Sequence, residues 1–228
     1  MDDVHPLIRL HDLTKQYRSS TLSYDALRGI NLNIYKGEFV AIMGPSGAGK
    51  TTLLNVIGLL DKPSTGSYQL DGEEITHKSE KKLSRLRRDG FGFVFQTANL
   101  LPKFSLVQNV EMPMLYRRIG HRESRKYAVG ILNQLGLADK LKNKPSQLSA
   151  GQLQRGAIAR ALIQSPKIIL ADEPTGNLDT ASSIEIMNIF KGLNNRGMTI
   201  ILVTHSQDVA NYAHRILYVR DGQLVGSL

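Results

Sequence analysis

Eight consecutive residues, Gly44-Pro45-Ser46-Gly47-Ala48-Gly49-Lys50-Thr51, have the composition and spacing of a loop that wraps a phosphate group. Glycines let successive backbone N–H groups turn inward around a β-phosphate, closer than side chains would allow. Lys50 then has the reach for β- and γ-phosphate oxygens, and the Thr51 hydroxyl suits Mg²⁺. Such a loop works only between a strand and a helix. Phe39-Val40-Ala41-Ile42-Met43 is continuously apolar, as a strand covered on both faces must be, and a helix is expected from about Lys50, its positive end aimed at the same anion.

A second apolar run, Ile168-Ile169-Leu170-Ala171, ends in two adjacent carboxylates, Asp172 and Glu173. Charge beside a core strand is costly to desolvate, and no partner is evident nearby in sequence. Asp172 suits the acidic anchor of Mg²⁺, and Glu173 the polarisation of an attacking water. A third run, Thr199 to Val203, leads through Thr204 to His205, which is thereby placed to approach a γ-phosphate; His5, His11, His77, His121 and His214 have no such placement and are expected to be structural or solvated. Leu148-Ser149-Ala150-Gly151-Gln152 opens a helix that stops before Pro166. Ser149 and Gln152 have the spacing of a capping box, and a serine at a helix start among small residues is also an anion site.

These groups must be positioned by a parallel sheet. Strand, helix, strand repetition implies one, with its ligand site at the carboxyl ends of the strands. Between the last two strands Ile186, Ile189, Phe190 and Leu193 share one helical face. From Leu7 to Ile34 short alternations such as Ile30-Asn31-Leu32-Asn33-Ile34 suit half-buried antiparallel strands. From Thr97 to Ser165 helical periodicity takes over, with Ala128, Ile131, Leu132 and Leu135 in one stripe closed by Gly136. No internal repeat or low-complexity tract is present.

With 228 residues, 41% hydrophobic and 21% charged, disorder and fibrous structure are excluded. The absence of cysteine removes disulfides, thiolate metal sites and thiol nucleophiles. No run approaches the ~18 apolar residues of a membrane helix, and Met1-Asp2-Asp3-Val4-His5-Pro6 has no leader-like apolar stretch, so the chain is not expected to cross a membrane. Most of the +9 formal charge lies between Thr97 and Ser165, where eleven Lys or Arg face three Asp or Glu. That excess suits a solvated face, a surface for anionic lipid or acidic partner loops, or a nucleic-acid patch.

Taken in order, these motifs resemble the ATP-binding cassette (ABC) ATPases over nearly the whole chain. The phosphate loop is followed by Gln96 at a domain junction, the signature segment Leu148 to Gln152, the Asp172-Glu173 strand end, the loop Asn177-Leu178-Asp179 and the late His205. The resemblance implies an α/β fold with a phosphate-loop NTPase core and mainly parallel sheet, an N-terminal antiparallel β subdomain and an inserted helical subdomain. It implies one domain over 1–228, with core 1–96 and 166–228 and helical subdomain 97–165. ATP and Mg²⁺ are the implied ligands. Gly44 through Thr51, with Thr52, would hold the nucleotide. Thr51, Gln96 and Asp172 would hold the metal, and Glu173, His205, Gln96 and Lys50 would carry hydrolysis. Two copies would pair head to tail in the ATP-bound state, Ser149, Gly151 and Gln152 of one facing the phosphate loop of the other, with Asp179 aligning the interface. Tyr17, 27 residues before Gly44, stands where the family places an aromatic that stacks on adenine.

Two departures stand out. Ala150 replaces the first signature glycine, a methyl that is either tolerated or slows turnover, and Gly156 replaces a larger apolar residue. Leu59-Leu60-Asp61-Lys62-Pro63-Ser64-Thr65-Gly66, Asn99-Leu100-Leu101-Pro102 and Asp172 through Asp179 look like the macrolide-export and lipoprotein-release branch. The implied partner is a separate integral membrane permease, which would hold the chain at the cytoplasmic membrane face with the basic helical segment helping to seat it. A non-transport cassette acting on nucleic acid or ribosomes is the alternative. It is disfavoured because only 98 positions separate Lys50 from Leu148, too few for a long coiled coil, and no nucleic-acid partner is expected.

Overall fold

Apolar and polar residues alternate from Ile8 to Ile34, and in the computed structural model they form two long antiparallel strands, β1 (Ile8–Arg18) and β2 (Ser23–Ile34). The structure describes residues 5–18 and 23–227; Met1–Val4, the acidic start of the chain, lie outside the described residues. The chain continues through β3 (Phe39–Met43), α1 (Lys50–Ile57), β4 (Thr65–Leu70), β5 (Glu73–Glu74), α2 (Glu80–Gly90) and β6 (Phe91–Phe95). Next come α3 (Leu106–Tyr116), α4 (His121–Gln134), α5 (Ala150–Leu162), β7 (Ile168–Asp172) and α6 (Thr180–Asn194). Last are β8 (Thr199–Val203), α7 (Gln207–Ala210), β9 (Arg215–Arg220) and β10 (Gln223–Ser227). They fall into two compact units, Met1–Arg87 with Lys191–Leu228, and Arg88–Phe190.

In the first unit an antiparallel sheet of order β2-β1-β4-β5 lies on the amino-terminal side of the chain, as the alternation anticipates. A second sheet centres on β3, which pairs in parallel with both β8 and β9, while β10 runs antiparallel to β9. Every residue of β3 and β8 is buried, which is why their sequences carry no polar alternation. Ile42 pairs with Val203, and the Thr204 N–H donates to the Ile42 carbonyl at 3.1 Å, so the two strands end level. The phosphate loop follows β3 and His205 follows β8 at this same end of the parallel pair.

In the second unit β6 and β7 pair in parallel from Phe91 with Ile168 to Phe95 with Asp172. Gln96 and Glu173 are therefore the next residues at one end of this pair. Leu106, Val107, Val110 and Met114 of α3, Ala128 and Leu132 of α4, Leu137, Ala159 of α5 and Ile163 form one apolar core. The fully buried Asn109 is satisfied within it: Oδ1 accepts the Leu101 N–H at 2.6 Å, and Nδ2 donates to the Leu101, Phe104 and Ser105 carbonyls. That pairing gives the Asn99-to-Pro102 segment its shape.

Several cations of the basic segment are already engaged inside this unit. Arg117 pairs with Asp89 at 2.7 Å, Arg125 with the buried Glu111 at 3.4 Å, and Arg155 with Glu185. Gly156 has a packing reason: a Cβ there would stand 2.6 Å from Cδ1 of Leu106, itself fully buried, and 3.4 Å from that of Leu100. The space a larger residue would need is occupied by Leu106 of α3. Gly156→Val should destabilise the chain by roughly 1–3 kcal/mol in denaturant unfolding, and Leu106→Ala in the same chain should cost less than it does alone; strictly additive losses would refute this packing account.

Candidate functional site

The phosphate loop leaves β3 at Gly44 and enters α1 at Lys50. Its rear is pressed against neighbouring backbone: a Cβ on Gly44 would lie 2.0 Å from the Val219 carbonyl oxygen, and one on Gly49 would lie 2.5 Å from that of Ala26. A Cβ on Gly47, at φ +78°, would have nothing within 4 Å, so this stretch of loop faces open space. The Gly222 N–H donates to the Ala48 carbonyl at 3.0 Å, and the Tyr24 hydroxyl donates to the Gly47 carbonyl at 2.9 Å. Lys50 Nζ is held across the loop by the carbonyls of Gly44 and Pro45, each at 2.8 Å. Gly49 caps α1 with no side-chain bond, and no acid sits in the first helical turn, so nothing there neutralises the positive helix end.

Pro45, Ser46, Gly47 and Thr51 are exposed, Thr52 half-buried and Ala48 buried. This is a shallow cradle open to solvent along its front. Tyr17 reaches the same unit's helix start, its hydroxyl donating to Asp61 at 2.8 Å and contacting the Thr52 hydroxyl. Burial, then the bond to Asp61, raises the Tyr17 phenol above its ordinary pKa, although Thr52 works the other way. His205 is exposed just beyond β8, at the end of the sheet from which the phosphate loop emerges.

The second unit gathers the remaining motif residues. Gln96 Nε2 donates to Asn177 Oδ1 and Asn177 Nδ2 donates to the Gln96 carbonyl, both at 3.3 Å. A Cβ at Gly176 would lie 2.9 Å from Gln96 Nε2, so glycine is needed for the amide to lie there. Glu173 has φ +46°, a left-handed backbone rare outside glycine, and its carbonyl accepts the Gly176 N–H at 3.0 Å. Asp172 and Glu173 are both half-buried.

Ser149 caps α5: its hydroxyl accepts the Gln152 N–H at 3.3 Å and the Gln152 side chain accepts the Ser149 N–H at 3.0 Å. The capping box is therefore real, and a hydroxyl that accepts can still donate its own proton to an anion. Ala150 begins α5 exposed and with an ordinary φ, so its methyl introduces no backbone strain. Gly151 packs on α6, where a Cβ would stand 3.0 Å from Ser182 Oγ. Asp179 accepts from the Ser182 N–H at 2.9 Å and the Ser182 hydroxyl at 2.8 Å, and these bonds hold its carboxyl below the usual range.

Sequence reasoning leaves out the residues that hold these groups in place. Gln154, buried in α5, donates to the Phe95 carbonyl at 3.0 Å, and Arg160 donates to the carbonyls of Ala98 and Asn99 at 2.8 and 2.6 Å, fixing the chain on both sides of Gln96. Tyr24 and Ser182 act alike, and Asn177, read from the sequence only as part of its loop, pairs with Gln96. Most of these partners are backbone groups or side chains that no motif spacing announces.

For Mg²⁺ the sequence offers the Thr51 hydroxyl, the Gln96 amide and the Asp172 carboxylate, all oxygen donors of the kind this ion takes. Among the described residues no three of His, Asp and Glu cluster as a cation cage. That donor set fits an ion whose other ligands are phosphate oxygens.

The profile of the family described as ABC transporter matches residues 27–176, a span holding the phosphate loop, Gln96, the signature segment, Asp172 and Glu173. The chain belongs to this family. YknY, an ABC transporter ATP-binding protein of Bacillus subtilis, is 49% identical over 96% of this chain and 95% of its own length. MacB of Brucella melitensis, a macrolide export ATP-binding/permease protein, is 48% identical over 96% of this chain, which spans only 34% of MacB. Among solved structures, the dimeric post-hydrolysis state of the ATP-binding cassette MJ0796 bound to ADP and Pi superposes with a TM-score of 0.89 at 43% identity, covering 97% of each chain. The phosphate-loop fold expected from the sequence is the fold observed.

Two glycine substitutions separate the rear of the loop from its front. Gly44→Ala drives a methyl into the Val219 carbonyl and should cost several-fold more stability than Gly47→Ala, which meets only the ~1–2 kcal/mol penalty of a left-handed backbone. Equal losses in chemical unfolding would show that the loop is not pinned from behind.

Proposed function

We propose that this chain is the ATP-binding and ATP-hydrolysing subunit of an ABC transporter, a single cassette over 1–228 with its helical subdomain at 97–165. The observation that carries the reading is the phosphate loop itself, pinned behind by backbone, open in front, and continued by a helix end with no side-chain cap. Loop amides and the α1 dipole receive the β-phosphate, and Lys50, already held over the loop, moves from the Gly44 and Pro45 carbonyls to β- and γ-phosphate oxygens. Thr51, Gln96 and Asp172 would hold Mg²⁺, which would supply neutralisation of charge on the phosphate oxygens.

Glu173 takes the part of the group that orients and polarises the attacking water, with Gln96 and His205 completing the surroundings of the γ-phosphate. Pairing of two copies is supported by the dimeric MJ0796 cassette; in the arrangement proposed they meet head to tail, Ser149, Gly151 and Gln152 of one facing the nucleotide of the other and Asp179 aligning the contact. ATP then joins the two copies, and hydrolysis loosens them, a change that can be passed on as work.

The likeness to MacB supports an export or mechanotransmission role driven through a separate integral membrane permease. Among the described residues no helix is long and apolar enough to cross a membrane. The place proposed for the chain is peripheral, on the cytoplasmic face, held by that permease. Arg117 and Arg125 are tied to Asp89 and Glu111, so the residues available to seat the helical unit are the exposed Arg118, Arg122 and Lys126, beside Tyr116 and Tyr127 at 77% and 52% exposure.

Glu173→Gln should lower phosphate release by roughly 10²–10⁴-fold while ATP binding persists and an ATP-dependent dimer accumulates in light scattering. A variant that hydrolyses ATP at the parental rate, or a Glu173→Gln chain that stays monomeric with ATP at every concentration, would sink this assignment. Exchange of Arg118, Arg122 and Lys126 for Glu should reduce the fraction recovered with membranes and leave ATP affinity unchanged; unchanged recovery removes the basic patch from the assembly.

A further inference from the structure

The segment Leu59 to Gly66 has no part in the phosphate chemistry, yet its Asp61 is the centre of a closed cluster on the first unit. Asp61 Oδ1 accepts from Lys15 Nζ at 2.5 Å and from the Lys62 N–H at 2.8 Å, while Oδ2 accepts the Tyr17 hydroxyl at 2.8 Å. Lys15 Nζ also donates to the Lys62 carbonyl at 2.8 Å and stands 4.8 Å from the centroid of the Tyr17 ring. A surface ion pair is normally loose and worth little. Here the Lys15 side chain is only 12% exposed and the Asp61 side chain 29%, so both charges are partly desolvated and directed.

Burial works to raise the Asp61 carboxyl, but Lys15 and the Tyr17 hydroxyl outweigh it and hold the group below the ordinary carboxylate range. It therefore stays ionised throughout the neutral range. The consequence falls on Tyr17: its hydroxyl is tethered, and an ammonium occupies one ring face by cation–π attraction. Tyr17 as a whole nevertheless remains 42% exposed, so it is not sealed by this cluster, and the ring face opposite the ammonium is the one left for a second partner. Its hydroxyl touches Thr52, two residues past the lysine of the phosphate loop. A flat apolar group attached to a phosphate chain seated in that loop would meet this ring.

We propose that Asp61 is a positioning residue for the nucleotide base: together with Lys15 it locks the Tyr17 ring so that one face is presented for purine stacking. This rests on the reading of the phosphate loop as an ATP site. Stacking does not read the edge of the base, so ATP and GTP gain alike from the lock, whereas a phosphate chain without a base gains nothing.

The test compares ATP with inorganic tripolyphosphate, each titrated calorimetrically with Mg²⁺ into the purified full chain. Asp61→Asn, which keeps the shape and removes the charge, should weaken ATP by about tenfold and change tripolyphosphate by less than about twofold. Tyr17→Phe should give an intermediate loss for ATP alone, and Tyr17→Ala should make a further Asp61→Asn exchange silent. Equal weakening of both ligands, or ATP affinity unchanged in Asp61→Asn, overturns the positioning role while the ATP site stands. Wild type that binds neither ligand overturns the ATP site, and this role with it.

Discussion

Backbone closing on backbone behind the phosphate loop is the constraint from which the first unit is organised. Gly44 meets Val219 of β9; Gly49 and Gly222 both meet Ala26 of β2; Gly222 donates to Ala48, and its own carbonyl accepts from Arg28. Two distant stretches, Ala26–Arg28 and Val219–Gly222, thus converge on one loop, mainly through their backbone. The arrangement has a physical logic. A loop that presents its amides forward needs something rigid at its back, and main-chain groups, fixed by two sheets, are stiffer than any rotamer. Glycine at these points is demanded by the neighbours as much as by the ligand.

The second unit solves a related problem with side chains. α5 carries the signature at its start, while farther along Gln154 and Arg160 grip the carbonyls on both sides of Gln96. From Gln96 the contacts run to Asn177, and from Asp179 through Ser182 to Gly151, back at the head of α5. One helix therefore holds both the residue assigned to the γ-phosphate of its own site and the segment assigned to that of a second copy. A shift of α5 must alter both, because its grip consists of directed hydrogen bonds to backbone rather than deformable apolar packing.

Much of this was legible in the sequence. The runs at Phe39, Ile168 and Thr199 read as buried strands because parallel strands covered on both faces carry no alternation, and the capping box at Ser149 and the stripe closed by Gly136 read directly as helix ends. β6 was not legible, since Gly92 depresses strand propensity; only the structure reveals Ile169 and the Ala161 carbonyl within 2.7 Å of any Cβ there. The β9–β10 hairpin carried a usable signal in Asp221-Gly222, both at positive φ, but the strands beside it are short and mixed. Asp61 read only as part of a segment because its partners, Lys15 and Tyr17, lie more than forty residues away, and spacing in sequence says nothing about such pairs.

Glu173 adds a different kind of evidence. Strand β7 could end in the left-handed conformation at little cost if glycine followed Asp172, yet a glutamate stands there at φ +46°. A residue with a Cβ in that conformation costs about 1–2 kcal/mol, and the turn closed by Gly176 onto the Glu173 carbonyl holds it in place. The side chain is half-buried. The strained turn fixes the backbone of Glu173, the residue proposed to polarise the attacking water, before any nucleotide arrives. The same economy is absent at Ala150, where an ordinary φ and an exposed methyl leave the departure from glycine without structural cost.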